Sequence, residues 1–405
     1  MIICPPQKCT GCMACMNICN NNAISSKQDE KGFYVPFIDD YKCIDCGQCT
    51  KICPVVNGAI YNSKKDSVVA AWAKDTDIRK NSSSGGVFPV LARSVIEQEG
   101  TVYGAALDQD IAVRHISCEN MQRLDKLRGS KYVQSDTGYI YRDVKKRLDE
   151  GEKVLFSGTS CQIAGLNSYL KISYDNLFTI DVLCHGVPSP LYFGDYIEYI
   201  QKKESKSIKE VFFRYKKPSW SFFSMRIVFK DGTEYIKSSY VDPYLCAFLK
   251  NYLTRECCQE CRYACGQRVA DITIADFWGY VSAKRSQKDT DEGISLVILN
   301  NEKGQKFFER VSESFVTIKK SMREAQEGNT GMIKPHTLNG GYNIFWQEYL
   351  KRRDFEWSIE QIGKRTASKK NKVRKWIDGH HYLLPEFAIR LYGRMKSSYI
   401  SYKNN

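Results

Sequence analysis

Eight of the 17 cysteines in this chain of 405 residues stand in two runs with identical spacing. Each run reads Cys-x2-Cys-x2-Cys-x3-Cys, and the thiols are Cys9, Cys12, Cys15 and Cys19 in the first and Cys43, Cys46, Cys49 and Cys53 in the second. In this pattern three closely spaced thiolates hold one 4Fe–4S cluster and the fourth crosses to the other cluster. The predicted ligand sets are Cys9, Cys12, Cys15 and Cys53 for one cluster, and Cys43, Cys46, Cys49 and Cys19 for the second.

A zinc module is the alternative interpretation of these runs, because pairs of Cys-x2-Cys also build zinc sites. Zinc takes four ligands in two pairs, whereas two tandem sets of four with this spacing are typical of bacterial ferredoxins. The spacing therefore favours iron–sulfur clusters. Gly11 and Gly47 relieve crowding inside the two loops, and Asn20 stands where a proline usually follows the first run.

Other features of the sequence predict a cytoplasmic protein. No run approaches the roughly 18 apolar residues that a membrane-spanning helix needs. The N-terminus lacks the charged and apolar segments of a secretory signal. Cytosolic thiols stay reduced, and an odd number of cysteines argues against a disulfide framework. Thiols at this density in a reducing compartment indicate metal binding.

The formal charge of +14 is concentrated near the C-terminus. Residues 1–62 carry five basic and five acidic side chains, whereas residues 340–405 carry 14 basic and six acidic ones. One interpretation of this basic tail is a solvated helical face or an unstructured arm. The other is a weak electrostatic contact with an acidic protein partner or a membrane surface. We expect no nucleic acid partner, because no recognition motif accompanies the charge.

The order of predicted elements indicates an α/β core with a mostly parallel mixed sheet. Strands are predicted at 68–73, 101–107, 112–117, 153–156, 177–183, 225–229, 233–236, 271–275 and 295–299, with helices at 87–98, 138–148, 162–170 and 244–253. This gives a small α+β, bacterial-ferredoxin-like domain at 1–62, an α/β domain in two parts, 66–150 and 151–325, and a basic helical tail at 340–405.

A third thiol site is predicted from segments that are distant in the sequence. Cys161 and Cys184 each follow a predicted buried strand, and ligands bind at that edge of a parallel sheet. Cys258 and Cys261 precede another buried strand. Each cysteine alone could be a buried structural residue, but together the placements suggest one metal site. We expect Cys4, Cys118 and Cys246 to lie outside every cluster.

Several ordered motifs resemble the beta subunit of the deazaflavin-coenzyme (coenzyme F-four-twenty) hydrogenase/dehydrogenase family, over roughly residues 1–320. They are Ser83-Ser84-Gly85-Gly86, Gly129-Ser130-Lys131-Tyr132-Val133-Gln134-Ser135, Gly158-Thr159-Ser160-Cys161-Gln162, Cys184-His185-Gly186-Val187-Pro188-Ser189-Pro190, Cys258-x2-Cys261 and Asp271-Ile272-Thr273-Ile274-Ala275-Asp276-Phe277-Trp278-Gly279. The resemblance implies FAD, iron–sulfur clusters and electron transfer to a two-electron acceptor. It also implies a third 4Fe–4S cluster on Cys161, Cys184, Cys258 and Cys261.

Two departures from the family pattern keep alternatives open at this third site. Cys257 and Cys265 stand beside the expected pair and could substitute as ligands. A threonine–serine pair stands where a proline commonly precedes Cys161. In a competing interpretation Cys161 is a nucleophile whose pKa is lowered by the start of the following helix.

Together with this resemblance, a serine–glycine turn before a helix predicts a flavin site, and a turn that only caps the helix is the alternative. Glycines allow close backbone approach, and free N–H groups at a helix start favour an anion such as a pyrophosphate. The predicted FAD contacts are Ser84, Gly85, Gly86, Lys131, Gln134, Gly158 and Asp276. His185 is the candidate proton donor, and a structural histidine is the equal alternative.

The sequence as a whole predicts a flavin-containing iron–sulfur oxidoreductase. Electrons would pass from reduced ferredoxin, or another redox protein, through the clusters to FAD and then to a small-molecule two-electron acceptor. The alternative is a non-catalytic electron-relay subunit of a larger complex. A redox-sensing regulator that binds nucleic acid has only the charge of the tail in its favour.

Overall fold

The computed structural model describes residues 2–62, 67–280, 292–364 and 388. Its N-terminal domain contains a two-stranded antiparallel sheet, β1 (Ile24–Gln28) and β2 (Tyr34–Ile38), in which Ile24 pairs with Ile38. Three short helices, α1 (Ala14–Ile18), α2 (Gln48–Lys51) and α3 (Pro54–Asn57), accompany this sheet. The two cysteine runs lie in and around these helices.

The centre of the molecule is an eight-stranded mixed sheet with the order β13-β3-β12-β11-β7-β6-β4-β5. Its strands are β3 (Ser67–Ala73), β4 (Thr101–Leu107), β5 (Val113–Cys118), β6 (Val154–Thr159), β7 (Leu177–Val182), β11 (Ile272–Asp276), β12 (Ser295–Leu299) and β13 (Phe315–Lys320). Strands β4, β6, β7 and β11 are consecutive parallel neighbours. Strand β3 shares their direction and the other three oppose it, so the predicted mostly parallel mixed sheet is confirmed.

Alternating side chains of the central strands build two separate cores. In β6, Leu155 faces one core, whereas Val154 and Phe156 face the other. The helices of the first core are α5 (Val87–Ile96), α6 (Met121–Leu127) and α11 (Glu302–Arg310), and those of the second are α7 (Ile140–Asp149) and α8 (Ser160–Leu170). Cys12, Ala14 and Ile52 of the N-terminal domain belong to the second core. The cysteine-rich domain therefore packs onto the face that carries α7 and α8.

A three-stranded antiparallel sheet, named here the second sheet, has a hydrophobic core of its own. It contains β8 (Ile208–Tyr215), β9 (Ser224–Phe229) and β10 (Glu234–Ser238) in the order β10-β9-β8. The predicted turn at Asp231-Gly232 joins β9 to β10, and Gly232 has the positive φ of +83° that the turn needs. Four helices pack on this sheet, namely α9 (Pro190–Glu204), α10 (Pro243–Leu249), α13 (Tyr342–Arg352) and α14 (Phe355–Lys364).

Two remaining helices, α4 (Thr76–Lys80) and α12 (Met322–Gly328), flank the large sheet near β3 and β13. The helix predicted at 244–253 ends at Leu249, and Asn251 follows with a φ of +60° that breaks the helix. Of the basic tail, α13 and the last helix reach Lys364, and most of the predicted basic cluster lies outside the described residues. In the described part of the chain, no helix is both long and apolar enough to cross a membrane.

Candidate redox site

Four thiols of the N-terminal domain, named here the proximal set, lie together against the second core. They are Cys9, Cys12, Cys15 and Cys53. Burial, with the neighbouring thiols of Cys9 and Cys53, raises the pKa of Cys12 to about 12. Burial, with the neighbouring thiols of Cys12, Cys9 and Cys53, raises the pKa of Cys15 well above the usual value. The structure thus brings Cys53 to the first run rather than to its own sequence neighbours.

Cys4 also lies at the proximal set, contrary to its expected place outside every cluster. Its thiol donates hydrogen bonds to Cys9 and Cys53, which lowers the pKa of both accepting thiols to about 6. A single turn of 3-10 helix, Pro6–Lys8, folds the chain back between Cys4 and Cys9. Cys118 and Cys246 lie elsewhere, with their thiols donating to the carbonyl oxygens of Asn120 and Ser239 at 3.2 and 3.8 Å.

The other four thiols of the two runs, named here the distal set, range from buried to exposed. They are Cys19, Cys43, Cys46 and Cys49. Cys49 is buried and its pKa is raised by burial and, in part, by the thiol of Cys43, whereas Cys46 is exposed. The backbone N–H of Ala23 donates to Cys19 Sγ at 3.3 Å. Two large apolar side chains beside Cys46, those of Tyr41 and Ile44, are also exposed.

Close backbone packing fixes the N-terminal domain to the core. A Cβ at Gly165 of α8 would lie 2.8 Å from Cys12 Cβ, so only glycine allows this contact. Arg142 of α7 donates to the carbonyl oxygens of Met16, Asn17 and Cys19. The proximal set and its neighbouring residues therefore lie directly against α7 and α8.

Gln134 belongs to this interface and not to the predicted flavin site. Its Oε1 accepts a hydrogen bond from Tyr34 N at 2.8 Å, and its Nε2 donates to Tyr34 O at 3.3 Å. A Cβ at Gly11 would lie 2.5 Å from that Nε2. Both ends of the amide are thus used to hold β2 and the loop around Cys12.

A cavity of about 220 Å³ lies at the carboxyl ends of β6 and β7 and brings distant segments together. Its wall includes all four thiols predicted for a third cluster, named here the cavity set: Cys161, Cys184, Cys258 and Cys261. Cys161 begins α8, Cys184 follows β7, and the other two lie on and just after the 3-10 helix Glu256–Glu260. The carboxyl edge of the sheet thus positions Cys161 and Cys184, and the loop before β11 supplies Cys258 and Cys261.

The fifth thiol at the cavity is Cys257, one of the two suggested substitutes. Hydrogen bonding to Cys258 and burial raise its pKa. Cys265 does not line the cavity, and its thiol donates to the carbonyl oxygens of Arg262 and Gln267. Burial, with Cys261 and Cys184 nearby, raises the pKa of Cys161 well above the usual value, which argues against a nucleophile activated by a lowered pKa.

The cavity set lies close to the proximal set. The thiol of Cys12 is one of the neighbours that raise the pKa of Cys161, and Cys9 does the same at Cys257. In the described ranges, no three His, Cys, Asp or Glu side chains close around a single metal ion.

A fully buried ion pair lies next to the residues that line the cavity. Arg268 Nη2 lies 2.6 Å from Asp181 Oδ2, and the two side chains are 2% and 0% exposed. Ser160, the residue before Cys161, donates to the same carboxylate at 2.7 Å. Thr273 of β11 donates to the other oxygen, also at 2.6 Å. This network connects β7, β11, α8 and the cysteine loop.

His185 lines the same cavity together with His336. The ring centroids are 3.8 Å apart, and His185 Nε2 lies 2.8 Å from Asn251 Oδ1. Burial and the neighbouring His336 lower the pKa of His185 to about 4. His185 is thus held neutral beside the thiols. His336 was not predicted, because it lies about 150 residues away in the sequence and stands in no motif.

The predicted serine–glycine turn is packed tightly against its own protein. Ser84 Oγ donates to Ile294 O at 2.8 Å, and Gly85 N donates to Ser295 Oγ at 2.9 Å. A Cβ at Gly85 would lie 2.4 Å from Ala71 O. Gly86 precedes α5 with a φ of +89°. The need for glycine at position 85 therefore comes from the sheet, not from a ligand.

Lys131 and Asp276 lie in the neighbourhood of this turn. Ser130 N donates to Ser83 Oγ at 2.9 Å, which joins the Gly129–Lys131 loop to the turn. Asp276 Oδ2 lies 2.8 Å from Arg214 Nη2, and its Oδ1 accepts from Trp220 Nε1 at 2.8 Å. Trp220 stacks on Trp278 with centroids 4.6 Å apart. Sequence reasoning missed Arg214 and Trp220, because single residues on a strand and loop of the second sheet form no spaced pattern.

Gly158 connects the turn region with the cavity. A Cβ at Gly158 would lie 3.4 Å from His115 Nε2, and the next residue, Thr159, lines the cavity. Burial, and to a smaller extent the charge of Lys131, lowers the pKa of His115 to about 4. His115 thus lies beside Gly158 and within reach of the charge of Lys131.

Comparison with known families agrees with these two halves of the molecule. Residues 8–57 match a 4Fe–4S dicluster domain. Residues 151–324 match the family described as the C terminus of the beta subunit of coenzyme F420 hydrogenase/dehydrogenase. The matched regions are thus those of a 4Fe–4S dicluster domain followed by the C-terminal region of that beta-subunit family. The resemblance inferred from the motifs is confirmed, and the family supports a role in redox electron transfer.

A distant likeness among solved structures is to a chain of the F420-reducing NiFe hydrogenase complex of Methanosarcina barkeri in a xenon-derivatised form. It is 16% identical, with a TM-score of 0.44, and the match covers 75% of this chain and 91% of that chain. No curated protein sequence matches the chain.

Proposed function

We propose that this protein is an iron–sulfur flavoprotein oxidoreductase. It passes electrons from reduced ferredoxin, or another redox protein, through 4Fe–4S clusters to FAD and on to a small-molecule two-electron acceptor. The single observation that carries this proposal is the order of the three thiol sets. The distal set includes the exposed Cys46, the proximal set is packed on α8, and the cavity set lies beside the proximal set.

The proximal and distal sets are the proposed ligands of the two N-terminal clusters. Support comes from the match to a dicluster domain and from the approach of Cys53 to the first run. The backbone favours this assignment, because the residue before each short helix is left-handed, Met13 with a φ of 58° and Gly47 with a φ of 70°. Each run can therefore wrap its loop around a cluster.

The cavity set is the proposed ligand set of a third 4Fe–4S cluster. The chemistry of the donors fits, because the cavity wall holds thiols from three segments and Cys257 as an additional donor. Positive charge lies close by, since Arg268 affects the pKa of Cys184 and Cys261. His185 would hold or release a proton at Nε2 or Nδ1 beside this cluster.

FAD is the proposed organic cofactor, and Ser84, Gly86, Lys131, Gly158 and Asp276 are its proposed surroundings. Unpaired polar atoms support the fit, since Arg214 Nε and Arg128 Nε are buried without a hydrogen-bond partner in the described part of the chain. A bound flavin supplies the exchange between one-electron and two-electron chemistry. The protein contributes positive charge, stacked tryptophan rings and shielding from water at this site.

The electron-donating partner is proposed to contact the distal set. Tyr41 is fully exposed and Ile44 is 69% exposed, within a few residues of Cys46. Apolar side chains next to an exposed cluster ligand suit a brief protein–protein contact. A contact of the basic tail with a membrane surface stays a prediction, since that tail lies mostly outside the described residues.

Anaerobic purification with analysis of iron, sulfide and flavin tests the function. We expect about 12 iron atoms per chain, from four in each of three clusters, together with released FAD. Stepwise reduction by dithionite should bleach the cluster and flavin absorbance. Stoichiometric zinc without acid-labile sulfide, or a chain that contains no flavin and binds none, would contradict the proposal.

A further inference from the structure

Two lysine side chains near the Ser82–Gly86 turn donate hydrogen bonds to backbone carbonyl oxygens. Lys216 Nζ donates to the carbonyl oxygens of Arg79, Ser84 and Glu292 at 2.6, 2.9 and 2.6 Å. Lys131 Nζ donates to the carbonyl oxygens of Lys126 and Arg128 at 2.7 and 2.9 Å. Both side chains are enclosed by protein atoms and still partly accessible to solvent.

The arginines of the same region each have a carboxylate partner. Arg79 lies 3.5 Å from Glu292, Arg128 lies 2.6 Å from Asp125, and Arg214 lies 2.8 Å from Asp276. Within the described ranges, neither lysine forms an ion pair with a carboxylate. When both lysines are protonated, the region therefore holds two positive charges that no paired carboxylate balances.

An enclosed ammonium group without a counter-charge is unfavourable, because carbonyl dipoles replace only part of the lost hydration. Burial accordingly lowers the pKa of Lys131 to about 7 and that of Lys216 to about 7. An anion bound between them would remove this penalty. The expected anion carries two negative charges, one for each lysine.

We propose that Lys131 and Lys216 are the counter-charges for a diphosphate diester, which carries two negative charges. This inference rests on the proposed function and names the part of FAD that the region recognises. The two buried Nε atoms, of Arg128 and Arg214, have no hydrogen-bond partner in the described chain and supply further donors. The N–H groups of the serine–glycine turn play a smaller part, since Gly85 N already donates to Ser295 Oγ.

Binding of such an anion must be coupled to proton uptake above about pH 7. The charged groups that act on Lys216 are Arg79, Asp276, Arg214 and Glu292. The titratable group that faces Lys131 is His115, which is neutral because burial lowers its pKa to about 4. The two lysines, whose pKa values burial lowers to about 7, therefore account for the expected uptake.

Isothermal titration of the full chain, freed of flavin anaerobically, tests the proposal. At pH 8, in buffers of different ionisation enthalpy, we expect up to two protons to be taken up per FAD. Lys216→Met and Lys131→Met should each weaken binding at least tenfold and remove part of the proton uptake. Lys206→Met is the control, because Lys206 is a surface lysine that pairs with Asp231 at 3.0 Å.

Ligand fragments separate this inference from the flavin proposal. ADP and inorganic pyrophosphate should bind with the same dependence on both lysines, whereas riboflavin should bind with none. If the chain binds ADP in this way but no flavin, the proposed function fails and the anion site stands. If FAD binds to both variants with unchanged affinity and proton uptake, the inference is wrong and the function stands.

Discussion

The two cysteine runs have the same spacing and opposite surroundings. Gly11 and Gly47 occupy equivalent positions with φ values of +68° and +70°. A Cβ at Gly11 would contact Gln134, Tyr34 and Arg255, whereas a Cβ at Gly47 would meet nothing within 4 Å. The shared motif therefore fixes the local turn in both runs. Contacts with the rest of the chain decide which run is enclosed and which is left open.

The largest expected effect comes from removing one thiol of the proximal set or one thiol of the distal set. Cys12→Ala should remove the enclosed cluster and also separate the distal set from the cavity set. Cys46→Ala should remove only the exposed cluster. Each variant should lose about four iron atoms. Electrons from dithionite should still reach the flavin in Cys46→Ala, whereas a protein donor should reduce it slowly in both variants.

Iron analysis and stopped-flow absorbance measure this difference. Cys118→Ala is the control, because Cys118 is buried on β5 and donates to Asn120 O at 3.2 Å. Equal behaviour of the two cluster variants with dithionite would show that the two runs do not act in series.

The ion pair below the cavity gives the next largest effect. Arg268→Met leaves the carboxylate of Asp181 buried without its cation, and removal of one partner from a buried pair typically costs about 3–5 kcal/mol. Ser160 and Thr273 still donate to Asp181, so we expect the lower end of that range. Urea denaturation under anaerobic conditions measures the loss.

Arg323→Met is the matched control, since Arg323 pairs with Glu327 on the surface at 3.1 Å with its side chain 90% exposed. Surface pairs contribute little. Equal destabilisation by the two changes would contradict the structural role of the buried pair.

The glycine pair gives a smaller and more direct test of the comparison. Gly11→Ala and Gly47→Ala share the cost of a left-handed alanine, about 1–2 kcal/mol. Gly11→Ala adds overpacking against Gln134 Nε2 and Tyr34 O, worth roughly 1–3 kcal/mol more. The difference between the two free energies of unfolding is the measured quantity. Equal values would mean that the N-terminal domain does not pack on the core as described.

Much of the fold could be predicted from the sequence where a local pattern exists. The strand predicted at 101–107 is β4, Thr101–Leu107, because its apolar run is short and bounded by Gly100. Strand β8, Ile208–Tyr215, was missed, since two register shifts against β9 disturb its alternation. The helix predicted from 244 continued too far, because its apolar pattern persists beyond the left-handed Asn251.

The candidate site shows the same division between local pattern and tertiary contact. The strand-end positions of Cys161 and Cys184 predicted that these thiols meet, because carboxyl ends of parallel strands lie at one edge, and both thiols line the cavity. Lys216 and Arg214 were missed, since they come from the second sheet and reach the large sheet only after folding. The role of Gln134 was missed for the same reason, as its partner Tyr34 lies 100 residues away.

The smallest expected effect compares a lysine of the core with one of the distal loop. The pKa of Lys131 is lowered to about 7 by burial, whereas Lys42 is 63% exposed on its side chain and pairs with Asp39 at 3.2 Å. In the unfolded chain a lysine keeps its proton to about pH 10.4. Between pH 7 and 10 the unfolded state therefore binds more protons at Lys131 than the folded state, so stability must rise with pH.

For one such group the slope is at most about 1.4 kcal/mol per pH unit. Lys131→Met should reduce the slope of the flavin-free chain by this amount and leave the contribution of Lys216. Lys42→Met should leave the slope unchanged, because its partner Asp39 titrates only in acid. Urea denaturation at pH 7, 8 and 9 measures all three proteins. A wild-type stability that is flat over this range would mean that Lys131 keeps its proton in the folded chain. The enclosed region would then already hold a counter-charge, and the contrast between the core lysine and the distal lysine would disappear.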